Sequence, residues 1–355
     1  MTTDATLTKP SKSQTADRSQ PLAVAGAGDE MILLSGRDLR ALLKPKPVIE
    51  ALRQAYGALA SNRADQGKSL GFTIGGGSAH IKAGLLPGSR AALAAKINVN
   101  LPDNPKLRAL PTIQGVVLLS DATTGRPLAV MDSMTLTGIR TAGTAMLAAG
   151  FGARQDSKRA AIIGCGAQAH YQIEALLACF PIEEIRVFDI DAARALAFAT
   201  AIGGADLRVT QAKSISAAID GADICITCTT SKQPILTQAM QLTGCFVAAV
   251  GADNPEKSEI EPALMARGRI LVDDLEQCVT GADLAHALKA GAVSRERVHA
   301  DLADLASGHR NGRESADELV IFDSSGSGVQ DVAAAWLAYQ IAVAAGAGMR
   351  FDLTG

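Results

Sequence analysis

The sequence predicts an α/β chain in two parts, and three observations carry that prediction. The chain has 355 residues, a length that suits two domains rather than one. Apolar residues make up 48% of it but aromatics only 3%, and there are 34 glycines; small side chains of this kind let helices pack close to a sheet. From about residue 155, short apolar runs alternate with helical patterns, as in a parallel sheet covered by helices on both faces.

Residues 1–29 are polar and rich in Ser, Thr and Ala. They lack the continuous apolar core of a signal peptide and read as a disordered tail. "MILLSGRDLRALL" reads as a short strand, an N-cap at Ser35 and a helix with an apolar face; "KPVIEALRQAYGALASN" reads as a second helix. Residues 69–100 read as strands broken at Gly75–Gly77 and at Pro87–Gly88. "GVVLLSDATTGRPLAVMDS" reads as a hairpin turning at Thr124 and Gly125, and an Ala-rich helix is predicted from near Thr137 to near Gly150. Beyond it, "RAAIIGCGAQAHYQIEALLACF" gives a buried strand, a glycine turn and a helix. "IEEIRVFDID" is the next strand and "AARALAFATAIG" the next helix, and further strands fall at "DICITCTT", "CFVAAVGAD", "RILVDD" and "ELVIFDSSG". The last segment, "GSGVQDVAAAWLAYQIAVAAGAG", is a helix that returns to the first part. The expected division is therefore a discontinuous domain of residues 30–150 completed by 325–355, around a second domain of residues 151–324.

Charge and composition exclude some classes of function. The net charge is −2, the pI is near 6.2 and no basic block stands out, which argues against nucleic-acid binding. No apolar run has the length and purity of a membrane span. Six unpaired cysteines suit a reducing compartment, and the expected location is cytoplasmic. Cys225 and Cys228 form a C-x-x-C pair, but they sit in a strand-like run where positions three apart point to opposite faces. No second pair or His cluster accompanies them, so no metal site is expected.

Gly164-Cys165-Gly166-Ala167-Gln168-Ala169 matches G-x-G-x-x-A, with an apolar strand before it and a helix after it. Gly164 permits a tight turn, Gly166 lets the backbone approach a pyrophosphate, and Ala169 keeps helix and strand close. The helix N-terminus offers free N–H groups to phosphate. Asp189, at the end of the next strand, is placed to accept both ribose hydroxyls of an adenosine. The blander reading is a plain glycine turn. The motif in this context predicts a Rossmann domain with NAD bound. A carboxylate at Asp189 repels a 2′-phosphate, so NADP is less favoured, and Arg194 is the nearby cation that would bind one. Gly164, Gly166, Ala167, Gln168, Asp189 and Arg194, with Thr141, Thr229, Val250 and Gly251, are assigned to the cofactor.

The segment from Lys96 to Arg140 is dense in polar groups that a core does not need, and "VGADNPEKSEIEP" follows a strand at the carboxyl edge of the predicted parallel sheet, where ligands bind in open α/β folds. With "AKINVNLPDNP", "LPTIQG", "TTGRPLAVMDSMTLTGIRTAGTA", "GCGAQA", "VGADNPEKSEI", "VDDLEQC" and "IFDSSGSGVQDVAAA" in this order, the chain resembles the ornithine cyclodeaminase/μ-crystallin family from about residue 31 to 350. The resemblance implies a homodimer whose first domain is an α+β substrate and dimerisation domain with an antiparallel sheet. Family members include ornithine and lysine cyclodeaminases, an alanine dehydrogenase, ketimine reductases and crystallins.

By resemblance, Lys96 and Thr112 bind substrate, Arg140 binds its carboxylate, and Asp253 acts at the reacting amine; Lys96 and Asp253 are the expected catalytic pair. The chemistry agrees. A carboxylate suits a bidentate guanidinium, and hydride abstraction beside an amine needs that amine neutral, so a carboxylate must take its proton. The structural alternatives are a salt bridge for Arg140 and a helix N-cap for Asp253. There are departures. Where the family often has an arginine, "ADQGKSLGF" offers Lys68, and "SAHIKAG" adds His80 and Lys82. Lys68 and His80 join the expected substrate site.

The leading expectation is an NAD-dependent enzyme acting at the α-carbon of a small amino or cyclic imino acid, by ornithine-like cyclodeamination to proline. The alternative is net redox, as in a ketimine reductase or an alanine dehydrogenase. A non-catalytic binding protein is the third reading.

Overall fold

The computed structural model describes residues 30–353 apart from 89–90 and 205–206, so the tail expected at 1–29 lies outside the described residues. The chain opens with β1 (Met31–Leu34), and Ser35 starts α1 (Gly36–Leu42). Ser35 Oγ accepts from Asp38 N while Asp38 accepts from Ser35 N at 2.9 Å, a reciprocal capping box. A proline at the first position opens α2 (Pro45–Ala60), which buries Val48, Leu52, Ala55 and Tyr56.

Next come β2 (Asp65–Gln66), β3 (Leu70–Ile74), β4 (Gly77–Leu86), β5 (Ala92–Asn100), α3 (Asn104–Arg108), β6 (Ile113–Asp121) and β7 (Pro127–Asp132). The predicted hairpin is β6–β7, with Thr124 and Gly125 in its turn. The long helix α4 (Ser133–Gly152) starts earlier than the pattern suggests, because Asp132 Oδ2 accepts from Thr135 N at 2.8 Å and caps it. Most of α4 is buried, so no polar face marks its start in the sequence.

The second half runs β8 (Arg159–Ile163), α5 (Ala167–Cys179), β9 (Glu184–Phe188), α6 (Ala192–Ile202), β10 (Arg208–Gln211), α7 (Ile215–Ile219), β11 (Ile224–Thr227) and β12 (Phe246–Ala249). It continues through α8 (Pro262–Arg267), β13 (Arg269–Val272), α9 (Leu275–Gly281), α10 (Asp283–Lys289), β14 (Val298–Asp301), α11 (Leu302–Ser307) and β15 (Val320–Asp323). The chain then returns through α12 (Gly328–Ala345) and β16 (Met349–Phe351).

Two sheets result. The first has the order β16-β1-β7-β6-β5-β4-β2, with β3 also on β4; it is antiparallel except where β1 meets β7. The second is parallel, in the order β10-β9-β8-β11-β12-β15-β13-β14. Its order reverses between β8 and β11, the switch point at which such sheets bind ligands. One apolar core lies under the first sheet and continues onto one face of the second through α4, α5 and α12, and another covers the opposite face of the second sheet. Cys225 belongs to the latter core and Cys228 packs against the former, as strand alternation requires. The last helix packs on β4, β5, α2 and α4.

Candidate active site

At the switch point, β8 delivers its glycine turn to the start of α5. Gly164 has φ +95°, and a Cβ there would press on the Cys228 carbonyl oxygen at 2.9 Å, so the backbone itself demands glycine. Gly166 is different: it is the N-cap of α5, and a Cβ there meets nothing within 4 Å. The open space above it, at a helix N-terminus, is what a pyrophosphate would fill. Asp189 Oδ2 accepts from Cys165 N at 2.8 Å and Oδ1 accepts from Asp191 N at 2.9 Å, so the acid is oriented by the loop it faces. Arg194 Nη1 lies 3.5 Å from Asp189 Oδ1, so this cation is engaged with the carboxylate. Gln168 reaches from α5 to donate to Gly138 O of α4 at 3.2 Å, tying the loop to the helix that carries Thr141 and Arg140.

The neighbouring strand ends are pinned by a residue outside the expected set. Glu259 is fully buried. Its Oε1 accepts from Thr229 N and Thr229 Oγ1, both at 2.7 Å; its Oε2 accepts from Thr227 Oγ1 at 2.7 Å and Gly251 N at 2.9 Å. Burial pushes its carboxyl up to about 7, against the donors that favour the charged form. Thr229, Val250 and Gly251 therefore sit on two strand ends held by one carboxylate.

The first sheet supplies the cations. Lys82 of β4 and Lys96 of β5 are direct cross-strand partners, two pairs along from His80 and Asn98 and on the same face. Lys96 Nζ pairs with Asp331 of α12 at 2.8 Å and donates to Thr137 Oγ1 at 3.3 Å. Arg140 Nε donates to Asp331 Oδ1 at 3.0 Å and Nη1 to Gln330 Oε1 at 2.6 Å. Lys82 Nζ donates to the carbonyl oxygens of Gly326, at 2.7 Å, and Ser325, at 3.2 Å.

Burial pulls Lys96 down to about 7, only partly offset by Asp331. Burial also lowers Lys82, with Arg140 adding to the effect. Burial raises Asp331, but Lys96 and Arg140 outweigh it and leave the carboxyl below its ordinary value. Behind this group, Asp273 accepts from Gly326 N at 2.6 Å, Ser325 N at 3.0 Å and Gln330 Nε2 at 2.9 Å, and Gln330 also donates to Tyr56 OH at 2.8 Å. The 324–326 loop is thereby locked against α12.

Asp253 follows β12 at the carboxyl edge. Its Oδ1 accepts from Lys257 Nζ at 2.7 Å, and its side chain is 53% exposed. Desolvation by the surrounding protein raises its carboxyl, but Lys257 and then Lys82 outweigh this and hold it below its ordinary value. Lys82 and Asp253 thus lie within electrostatic reach of each other. The helix-cap alternative for Asp253 does not hold: Asp253 caps no helix, and α8 begins only at Pro262.

The structure therefore joins Lys96 and Arg140 through Asp331 and sets Asp253 within electrostatic reach of Lys82, with His80 on the Lys82 face of β4. It does not bring in the other two expected substrate contacts. Thr112 stands just before β6 with its carbonyl accepting from Leu101 N, and its side chain bonds to none of this group. Lys68 is exposed between β2 and β3. Sequence reasoning missed Asp331, Gln330, Asp273 and Glu259. A signal was present for the first two, since Gln330 and Asp331 fall side by side at the start of the largely apolar "VQDVAAAWLAYQIAVAA".

Fold and site together define a two-sheet α/β protein with a glycine turn at the switch point of its parallel sheet and buried cations on the inner face of the other sheet. The chain belongs to the ornithine cyclodeaminase/mu-crystallin family, whose model matches residues 79–346. It is 31% identical over 322 residues to alanine dehydrogenase of Archaeoglobus fulgidus, covering 90% of this chain and 98% of that protein. Among solved structures it resembles an archaeal alanine dehydrogenase dimer with bound NAD, at TM-score 0.86 and 30% identity over 91% of this chain and 99% of that one. It also resembles the Delta(1)-pyrroline-2-carboxylate reductase of Thermococcus litoralis in complex with NADH and L-proline, at TM-score 0.85 and 30% identity over 90% and 99% of the two chains.

Proposed function

We propose that this chain is an NAD-dependent enzyme that moves a hydride to or from the α-carbon of a small amino or cyclic imino acid. One observation carries the reading: the glycine turn with open space above Gly166 is tied through Gln168 and Gly138 to the helix that carries Arg140, and Arg140 shares Asp331 with Lys96. The residues at the cradle fit a dinucleotide, since Gly166 leaves room for phosphate and Asp189 is oriented toward the loop. The carboxylate favours NAD over NADP, and NAD or NADH occupies the two solved relatives. Bound there, the dinucleotide would accept or supply the hydride.

The chain's own residues do the rest. Arg140 has Nε and Nη1 engaged, and its Nη2 has no hydrogen-bond partner among the described residues, which leaves it for a substrate carboxylate. Lys96, near 7, can give or take a proton at neutral pH. A substrate ammonium would replace Lys257 as partner of Asp253, which then takes the amine's proton before the hydride leaves. Ornithine-like cyclodeamination and net redox share this machinery.

The domain division at residues 30–150 with 325–355, and 151–324, is supported by the two sheets. A homodimer is supported by the solved alanine dehydrogenase dimer. The six cysteines are all free, which suits a cytoplasmic protein, and no helix among the described residues is long and apolar enough to cross a membrane.

The test is turnover of amino acids with NAD, and of imino acids with NADH, compared with Asp253→Asn. Asn keeps the shape but cannot act as the base, so the variant should fold, bind NADH and lose at least about 10²-fold in rate. Full activity in a folded Asp253→Asn protein sinks this reading.

A further inference from the structure

Lys82 lies in the candidate site without a carboxylate partner. It stands directly opposite Lys96 in the β4–β5 register, a like-charge pairing that a sheet disfavours without compensation. Lys96 and Arg140 both touch Asp331, whereas among the described residues Lys82 Nζ meets only the carbonyls of Ser325 and Gly326. Two backbone dipoles use two of its three N–H donors and supply no counter-charge. Two further acids act on it without touching it: Asp273, which accepts from Ser325 N, Gly326 N and Gln330 Nε2, and Asp253, which is paired with Lys257. Three cations thus share one contacting carboxylate. A substrate α-carboxylate on Arg140 supplies one further negative charge, and Lys82 still lacks its own.

The far end of the substrate is what separates the two chemical routes, and the face of β4 and β5 beside Arg140 is basic. A distal ammonium, as in a diamino acid, would meet Lys82 and Lys96, with Asp253 already committed to the α-amine. We propose that Lys82 binds a second carboxylate on the substrate, so that the site takes a dicarboxylic amino or imino acid and rejects diamino acids. This rests on the reading of the chain as an α-carbon hydride-transfer enzyme. The reaction is then net redox, because no distal amine is present to displace ammonia. Arg140 holds the α-carboxylate and Lys82 the distal one.

The experiment measures kcat/KM for L-aspartate, L-glutamate, L-alanine, L-proline and L-ornithine with NAD. The reverse direction uses oxaloacetate, 2-oxoglutarate or pyruvate, each with ammonia and NADH, and also pyrroline-2-carboxylate. A dicarboxylic substrate should exceed every other by at least about tenfold, the scale of one charge-assisted hydrogen bond. Lys82→Met should lower the dicarboxylic-to-monocarboxylic ratio by about the same factor, and Lys82→Arg should keep most of it. Calorimetry on the NAD-loaded protein adds a readout apart from turnover: succinate should bind at least about tenfold more tightly than propionate, and Lys82→Met should abolish the difference.

If alanine, proline, pyrroline-2-carboxylate or ornithine is the best substrate, the inference fails while the proposed function stands. If Lys82→Met lowers all substrates equally, Lys82 only braces the 325–326 loop and the inference fails. If nothing on the panel turns over, both fail. The unmodified protein's panel decides even where Lys82→Met does not fold.

Discussion

At the scale of single residues, Lys96 is the group whose titration should govern the pH profile. Burial lowers it to about 7, so it changes charge in the range where such enzymes work. The sign follows from its role. As the acid in imine reduction, Lys96 must be protonated, so kcat/KM should be level below about 7 and fall as pH rises through that value. In amino-acid oxidation the neutral form is required, and the same limb should rise with pH. Lys96→Met should flatten this limb in both directions; a limb that survives the substitution would assign the titration to another group. The residues of this site were unequally legible in the sequence. Lys96, Arg140 and Asp253 stood in long motifs. Asp331 stood in one too, in "IFDSSGSGVQDVAAA", but nothing local marks a helix acid as the counter-ion of a lysine in a distant strand; only the sheet register and the return of α12 reveal it. Thr112 and Lys68 show the converse: the family resemblance points to them, and neither makes a hydrogen bond to Lys96, Arg140 or Asp331 among the described residues.

At the scale of elements, the ends of β11 and β12 act as one unit through Glu259. Each oxygen of Glu259 takes two donors, so replacing one oxygen by an amide sets N–H groups against N–H and O–H groups on one side. Glu259→Gln should therefore release either the Thr229 end or the Thr227–Gly251 end. Leaving buried donors without an acceptor costs about 1–3 kcal/mol, so NADH affinity should fall by about tenfold or more. Fluorescence titration of bound NADH measures this. Unchanged affinity in a destabilised but folded variant would reduce Glu259 to a purely structural role. The strands themselves were legible where apolar runs were buried on both faces, as in β8, β11, β12 and β15. Edge strands β10 and β14 were not, because their short half-exposed sequences carry little apolar pattern.

At the scale of the molecule, the first sheet presents two apolar faces. The inner face buries Ala92, Ala94, Val117 and Leu119 against the helices. The outer face carries Leu70, Phe72, Leu93, Ile97, Val116 and Leu118, all between 38% and 56% exposed. The register places these side by side across four strands: Leu70 pairs with Ile81, Ile81 with Ile97, and Ile97 with Val116. The outer face is thus one apolar patch rather than scattered residues, and patches of this kind mark association surfaces. A second copy of the chain is the partner the family resemblance implies. Sedimentation equilibrium should show a dimer at micromolar concentration. Ile97→Glu combined with Leu118→Glu should yield a monomer, since neither position faces the inner core and a closed two-fold contact brings both charges in from each copy. The substituted face is the outer one, so cofactor binding by the monomer should persist if the fold does. A double variant that sediments as the unmodified protein does would place the association surface elsewhere and leave this face without an assigned partner.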